Sequence, residues 1–138
     1  MRPDVGLLIV THENLAAELV RATGKIVGAV EGLEGVSIAW DTDVEGAREQ
    51  VERGIRRVER KGGVLILTDM FGGTPTNISL SFLKQDSIEI VTGVNLPMLI
   101  KFFNLEPELS LQEIAERIRD KGRQSIHMAM EYLQPEKK

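Results

Sequence analysis

The stretch VGLLIV, residues Val5–Val10, is continuously apolar, as expected of a strand that is covered on both faces of a parallel sheet. Gly63–Thr68 (GVLILT) is a second run of this kind. Two less apolar runs complete the series, Gly35–Trp40 (GVSIAW) and Ser87–Thr92 (SIEIVT). The runs recur at intervals of roughly 25–30 residues, about the length of a βαβ unit, and they predict four strands.

The segments between these runs have the apolar spacing of amphipathic helices. The apolar positions are Leu15, Leu19, Ala22 and Ile26 in the first segment and Val44, Ala47, Val51, Ile55 and Val58 in the second. Alternation of strands and helices at this spacing predicts the α/β class, with one open, mainly parallel sheet and helices on both faces. We take the strand order to be 2-1-3-4, which makes strands one and three neighbours.

Two further helices are predicted after the fourth strand. Asn95 is placed to cap a helix that has Pro97 in its first turn and runs to about Phe103. Ser110–Glu113 (SLQE) has the pattern of a capping box for the next helix, which Lys121–Gly122 is expected to end.

The end of the chain allows two interpretations. Apolar and polar side chains alternate there, which predicts a short final strand around Gln124–Met128, and a helix through the same segment is the alternative. Pro135 and the two terminal lysines are interpreted as a frayed end. We expect one domain over residues 1–138, with about 1–130 ordered and 131–138 as a tail.

Composition narrows the class of protein. A chain of 138 residues that is 42% apolar and 28% charged fits one soluble globular domain. The net charge is −4 and no long charged run accompanies it, so neither nucleic acid nor an anionic membrane surface is an expected partner. The absence of cysteine excludes disulfides, thiolate metal sites and cysteine catalysis. The N-terminal apolar stretch is too short for a secretory or membrane-spanning segment, and we expect a cytoplasmic protein.

Polar residues follow the first and third strands. Thr11-His12 ends the first strand and Thr68-Asp69 the third, and with these strands adjacent both pairs lie where ligands bind in open parallel sheets. Taken singly, His12 is most simply a loop or capping histidine and Asp69 a turn cap. Together they indicate a nucleophilic histidine, because a carboxylate bonded to one imidazole nitrogen leaves the other nitrogen free to attack.

A glycine-rich turn follows the third strand. Phe71–Asn77 (FGGTPTN) leads into a helix, with Thr74 expected as N-cap and Pro75 at the first helical position. A helix N-terminus offers free N–H groups and the positive end of the helix dipole, which suits a phosphoryl group on His12. The hydroxyls of Thr74 and Thr76 are further hydrogen-bond donors.

Three strings of the sequence are specific in this order and spacing. They are IVTH at Ile9–His12, LTDMFGGTPTN at Leu67–Asn77 and TGVNLPM at Thr92–Met98. With them the chain resembles the mannose-type IIA component of the bacterial phosphoenolpyruvate:sugar phosphotransferase system, the mannose/fructose/sorbose family. The resemblance covers nearly the whole chain.

The resemblance implies a phosphohistidine carrier. His12 matches the histidine that accepts a phosphoryl group from the phosphocarrier protein HPr and passes it to a histidine of a IIB component during sugar uptake. Asp69 matches the aspartate that orients that imidazole. Direct transfer between histidines needs neither metal nor cofactor. The expected phosphoryl-binding residues are Thr11, Gly72, Gly73, Thr74 and Thr76.

The resemblance also implies a homodimer in which the C-terminal strand is exchanged and pairs with the partner's sheet. Family members usually have glycine after the phosphorylated histidine, where this chain has Glu13. A carboxylate in the first helical turn that pointed inward would repel a phosphoryl dianion and shorten the lifetime of phospho-His12.

Three alternatives compete with the transport relay. A regulatory phosphoprotein would use the same His12 without coupling to transport. A receiver domain would be phosphorylated on Asp69, but it needs acidic residues after strand one to hold magnesium, where this chain has Thr11-His12. A dinucleotide-binding module is disfavoured, because the glycine-rich turn follows strand three and lacks the G-x-G-x-x-G spacing.

The remaining polar and sulfur-containing residues are given structural roles. Asp41 and Asp43 are interpreted as caps of the second helix, and Trp40 as a residue that either borders the crevice or only precedes that helix. His127 is expected to pack on or beside the sheet. Three methionines are interpreted as filling the core or an interface: Met98, Met128 and Met130.

Overall fold

Four parallel strands form the sheet at the centre of the structure. The computed structural model describes residues 2–133, with β1 (Gly6–His12), β2 (Leu33–Ile38), β3 (Val64–Thr68) and β4 (Ile88–Thr92). Their order is β2-β1-β3-β4, and each neighbouring pair is parallel. The predicted α/β class and the strand order 2-1-3-4 are confirmed, and β2 begins and ends two residues earlier than predicted.

Helices cover both faces of this sheet. α1 (Leu15–Val27), α4 (Leu96–Phe102) and α5 (Leu111–Gln124) contribute to one hydrophobic core. α2 (Val44–Val58) and α3 (Gly73–Leu80) contribute to the other. The two cores are separated by the sheet, which is the arrangement that the alternation of strands and helices predicts.

β1 lies between the two cores. Leu7 and Ile9 belong to the core beside α1, α4 and α5, whereas Leu8 and Val10 belong to the core beside α2 and α3. All four side chains are fully buried. A strand that is buried on both faces has no position for a polar side chain, which explains why the VGLLIV stretch is uninterrupted.

Three of the predicted helix caps are present. The carboxylate of Asp43, rather than that of Asp41, accepts a hydrogen bond from the Gly46 N–H and caps α2. Asn95 caps α4 by accepting from the Met98 N–H at 3.3 Å. A reciprocal capping box begins α5, in which the Ser110 hydroxyl and the Glu113 carboxylate each accept from the other residue's N–H.

α5 continues two residues beyond Gly122, where the sequence predicts its end. Gly122 is buried within the helix, and a Cβ at this position would lie 2.7 Å from the sulfur of Met98. The glycine therefore serves the close packing of α5 against α4 and does not terminate the helix. Met98 is itself buried, as predicted.

The predicted strand around Gln124–Met128 is wrong for the described chain. α5 runs to Gln124, and after four residues outside helices and strands comes the short helix α6 (Ala129–Tyr132). Met128 and Met130 are exposed and outside the core. An alternating pattern forms a strand only beside a sheet edge, and this segment pairs with none of the four strands. Pro135 and the terminal lysines, predicted as a frayed end, lie outside the described residues.

The prediction that His127 packs on or beside the sheet is wrong. His127 is exposed, and its ring lies 5.2 Å from the ring of Tyr132, centroid to centroid. The ring contact is local to the segment that follows α5.

Within residues 2–133, no helix combines the length and the apolar character that crossing a membrane requires.

Candidate functional site

The ends of β1 and β3 bring His12 and Asp69 together. Val10 pairs with Thr68, so the residues that follow them emerge side by side at the carboxyl edge of the sheet. Nδ1 of His12 lies 2.8 Å from Oδ2 of Asp69, and the backbone N–H of His12 donates to the same oxygen at 3.0 Å. One carboxylate oxygen therefore holds both the ring and the backbone of the histidine.

The electrostatic environment keeps the Asp69 carboxylate ionised. Burial raises the pKa of Asp69, but the hydrogen bonds from the backbone and side chain of His12 outweigh it, and the net pKa is below the ordinary value. An ionised carboxylate can only accept hydrogen bonds, so the Nδ1 that faces it carries the proton. Nε2 is then the nitrogen with the free lone pair, and it belongs to a side chain that is 30% exposed.

The glycine-rich turn lies against the other side of the ring. Gly73 has a φ of +82°, and a Cβ at this position would lie 3.0 Å from Cε1 and 3.2 Å from Nε2 of His12. Any other residue would therefore meet the reactive edge of the imidazole. Because α3 begins at Gly73, the unpaired N–H groups of its first turn start beside Nε2, where they can bind an anion.

The predicted capping of this helix is wrong. The N-cap is Gly72, which has no side chain to accept a hydrogen bond, and Thr74 and Pro75 are the second and third helical residues. Two consecutive glycines with positive φ lead the chain into the helix, so the helix starts two residues earlier than a Thr74 cap would allow. Thr74 is exposed, and its hydroxyl is not used as a cap.

Two of the predicted phosphoryl-binding hydroxyls are held inside the fold. The Thr11 hydroxyl accepts from the Ala16 N–H at 2.7 Å and so anchors the start of α1. The Thr76 hydroxyl lies 2.8 Å from that of Thr68 and 2.5 Å from the carbonyl of Met70. Both threonines are fully buried, so neither hydroxyl can reach a group on His12 without breaking these contacts.

Glu13 lies in the turn between β1 and α1 and not in the first helical turn. Its N–H donates to the carbonyl of Ile38 at 2.9 Å, and its carboxylate accepts from the backbone N–H of Trp40 at 2.6 Å. Sequence reasoning missed this link between the site and the end of β2. The signal was present, because Glu13 is the position at which the chain departs from the glycine of the family it resembles.

Comparison with known proteins identifies the family. The family model "EIIA-man: PTS system fructose IIA component" matches residues 6–119. The fructose-specific EIIA component of Bacillus subtilis (strain 168) is 27% identical over 94% of this chain and 90% of its own length. The mannose-specific EIIAB component of Escherichia coli (strain K12) is 24% identical over 88% of this chain, which spans 38% of that longer protein.

Solved structures show the same fold. The PTS IIA protein associated with the fucose utilization operon of Streptococcus pneumoniae superposes with a TM-score of 0.83 at 24% sequence identity, covering 96% of this chain and 98% of the other. With the family match over most of the chain, the conclusion is direct. The chain belongs to the EIIA-man family and is a mannose-type IIA component of the sugar phosphotransferase system.

Proposed function

We propose that His12 is the phosphoryl carrier of this component. It accepts a phosphoryl group from phosphorylated HPr and passes it to a histidine of a IIB component during sugar uptake. The protein carries out this transfer in the cytoplasm. The observation that supports this most directly is the 2.8 Å contact between Nδ1 of His12 and the ionised Asp69 carboxylate. That contact directs the free lone pair of the ring to Nε2.

In the proposed reaction, the Nε2 lone pair attacks the phosphorus of the donor's phosphohistidine. The phosphorus–nitrogen bond to the donor breaks as the bond to Nε2 forms, and the donor imidazole leaves with the electron pair. The proton on Nδ1 of His12 stays in place, so the ring becomes cationic and Asp69 stabilises it. Transfer to the IIB histidine reverses these steps, and no water, metal or cofactor takes part.

The start of α3 is the proposed binding site for the phosphoryl oxygens. Its first turn contains no acidic residue, and the helix dipole there favours negative charge. We assign the binding of these oxygens to the N–H groups of Gly72, Gly73 and Thr74, with the exposed Thr74 hydroxyl as an additional donor. Thr11 and Thr76 act through the fold: their hydroxyls fix the start of α1 and the loop after β3.

Incubation with phosphoenolpyruvate, enzyme I and HPr tests this proposal. We expect a phosphoryl group on the wild-type protein that is stable in alkali and lost in acid, and no labelling of the His12→Ala variant. His127→Ala is the control, since it removes an exposed histidine that lies outside the site. An alkali-labile phosphoryl group would indicate an acyl phosphate on Asp69, the chemistry of a receiver domain, and would contradict the proposal.

We further propose that the protein is a homodimer assembled along β4. β4 is an edge strand whose five residues are only half buried. Its Ile88 backbone is paired with Lys84 and the Ile90 N–H donates to the Glu89 carboxylate, so another chain would pair with the part of the strand beyond Ile88. A groove of about 590 Å³ runs between β4 and α5, and Ile126 lines its end. The segment after α5 exposes a series of large apolar side chains that suit burial in a dimer: Ile126, Met128, Tyr132 and Leu133.

A further inference from the structure

Glu13 has a backbone conformation that disfavours every residue except glycine, asparagine and aspartate. Its φ is +49°, in the left-handed region, where a Cβ approaches the backbone closely. Strain of this kind persists where the surrounding contacts enforce it, and it concentrates at functional sites. Glu13 directly follows His12, so the strained residue lies at the proposed phosphoryl-accepting site.

The contacts of Glu13 extend the pairing between β1 and β2. His12 is the last residue of β1 that pairs with β2, opposite Ile38. Beyond it, the Glu13 N–H donates to the Ile38 carbonyl, and the Glu13 carboxylate accepts from the Trp40 N–H. The side chain thus takes the place of a strand backbone and holds Trp40 beside the residue that follows the histidine.

Among residues 2–133, Trp40 has the most exposed large apolar side chain, at 85%. Phe71, which lies two residues beyond Asp69, is 78% exposed and lines the groove beside β4 and α5. Tryptophan is among the residue types most enriched in the small set of residues that dominate binding energy at protein interfaces. The reactive histidine is therefore flanked by a side chain that suits a protein partner.

We propose that Glu13 is a positioning residue that fixes Trp40 beside His12, and that Trp40 contacts the protein that donates the phosphoryl group. This inference rests on the proposed function of His12 as a phosphoryl acceptor. The donor must then present an apolar recess next to its phosphohistidine. The hydrogen bond from the backbone N–H of Trp40 to the Glu13 carboxylate orders the turn that carries the indole. Pre-organisation of this turn lowers the conformational entropy that is lost on docking, so the bond favours complex formation rather than the chemical step.

Kinetics with a protein donor and a small donor test the docking role of Trp40. Phosphoramidate transfers a phosphoryl group to imidazole without any protein surface. For Trp40→Ala we expect the KM for phosphorylated HPr to rise about 10-fold with kcat retained, and the rate with HPr relative to that with phosphoramidate to fall. Leu83→Ala is the matched control, because Leu83 is also an exposed apolar residue but lies in the connection from α3 to β4. An unchanged KM, or a loss confined to kcat, would overturn the docking role.

Two variants at position 13 test the positioning role. Glu13→Gly removes the acceptor and also the backbone strain, and we expect it to raise the KM about threefold. Glu13→Gln keeps an oxygen that can accept from the Trp40 N–H, so it should restore a KM close to that of the wild type. If Gln behaves like Gly, the hydrogen bond is not the cause and the positioning role is wrong.

The chain has a single tryptophan, so its fluorescence reports on Trp40 without labelling. We expect the fluorescence anisotropy of the indole to fall in Glu13→Gly and to stay at the wild-type value in Glu13→Gln. Equal anisotropy in all three proteins would refute the link between the two residues. Failure of the wild type to be phosphorylated by either donor would instead contradict the proposed function of His12, and the anisotropy would still decide whether Glu13 orders Trp40.

Discussion

At the scale of single residues, Asp69 acts on His12 through one carboxylate oxygen, which accepts from both the ring and the backbone. In Asp69→Asn the amide no longer carries the charge that stabilises the cationic phosphorylated ring. We expect phosphoryl transfer from HPr to slow about 10–100-fold while the circular dichroism spectrum is retained. A wild-type transfer rate in this variant would show that Asp69 has only a structural role.

The lowered pKa of Asp69 also makes a prediction about stability. A carboxyl whose pKa is lower in the folded than in the unfolded protein stabilises the fold above the unfolded pKa of about 3.9, and the contribution is lost as the pH falls through the folded pKa. The difference in free energy of unfolding between wild type and Asp69→Asn should therefore shrink from about pH 7 to about pH 3. Urea denaturation at both pH values measures this difference in free energy of unfolding. A difference that does not depend on pH would contradict the lowered pKa of Asp69.

Gly73 illustrates how a residue without a side chain serves the site. In Gly73→Ala the Cβ would meet the His12 ring at 3.0–3.2 Å, in addition to the backbone cost of a positive φ, about 1–2 kcal/mol. We expect a less stable protein that is also phosphorylated more slowly. Gly28→Ala is the matched control, because Gly28 has a φ of +92° and open space around it. Thermal denaturation should show a similar loss of stability in Gly28→Ala, and its phosphorylation rate should equal that of the wild type.

At the scale of elements, two helical glycines have opposite roles. Gly122 in α5 is buried against Met98, so Gly122→Ala should cost about 1–3 kcal/mol as the packed side chains shift. A Cβ at Gly24 in α1 would meet no neighbouring atom within 4 Å, so Gly24→Ala should stabilise the protein by about 0.5–1 kcal/mol. Chemical denaturation of both variants measures these changes. Effects of the same sign would mean that packing does not distinguish the two positions.

The helix ends also show where the local sequence is sufficient to predict the structure. The caps formed by Asp43, Asn95 and Ser110 are predictable because each depends on a side chain and an N–H only a few residues away. The end of α5 and the start of α3 are not predictable from local sequence. Gly122 is used for contact with another helix, and the glycine turn before α3 is shaped by its approach to His12.

At the scale of the whole molecule, the proposed dimer makes a testable prediction. Light scattering should give about twice the chain mass of 15.3 kDa for the chain of residues 1–138. Deletion of residues 126–138 removes the exposed apolar segment after α5 and should yield a monomer that keeps the helix and strand content of the domain. A truncated protein that remains dimeric, or a monomer of residues 1–138, would exclude this mode of assembly.

The sequence by itself determined the layered fold and singled out His12 and Asp69 as the candidate pair. Its two-sided apolar strands predict a sheet with helices on both faces. The polar residues at the ends of β1 and β3 meet because these strands are neighbours, an arrangement that is assumed from the sequence and confirmed by the sheet order. Only the tertiary structure decided how the other site residues are used. The hydroxyls of Thr11 and Thr76 are buried, and the carboxylate of Glu13 binds Trp40. Those outcomes depend on contacts between residues distant in sequence, where competition among several hydrogen-bond partners is resolved only when the chain has packed.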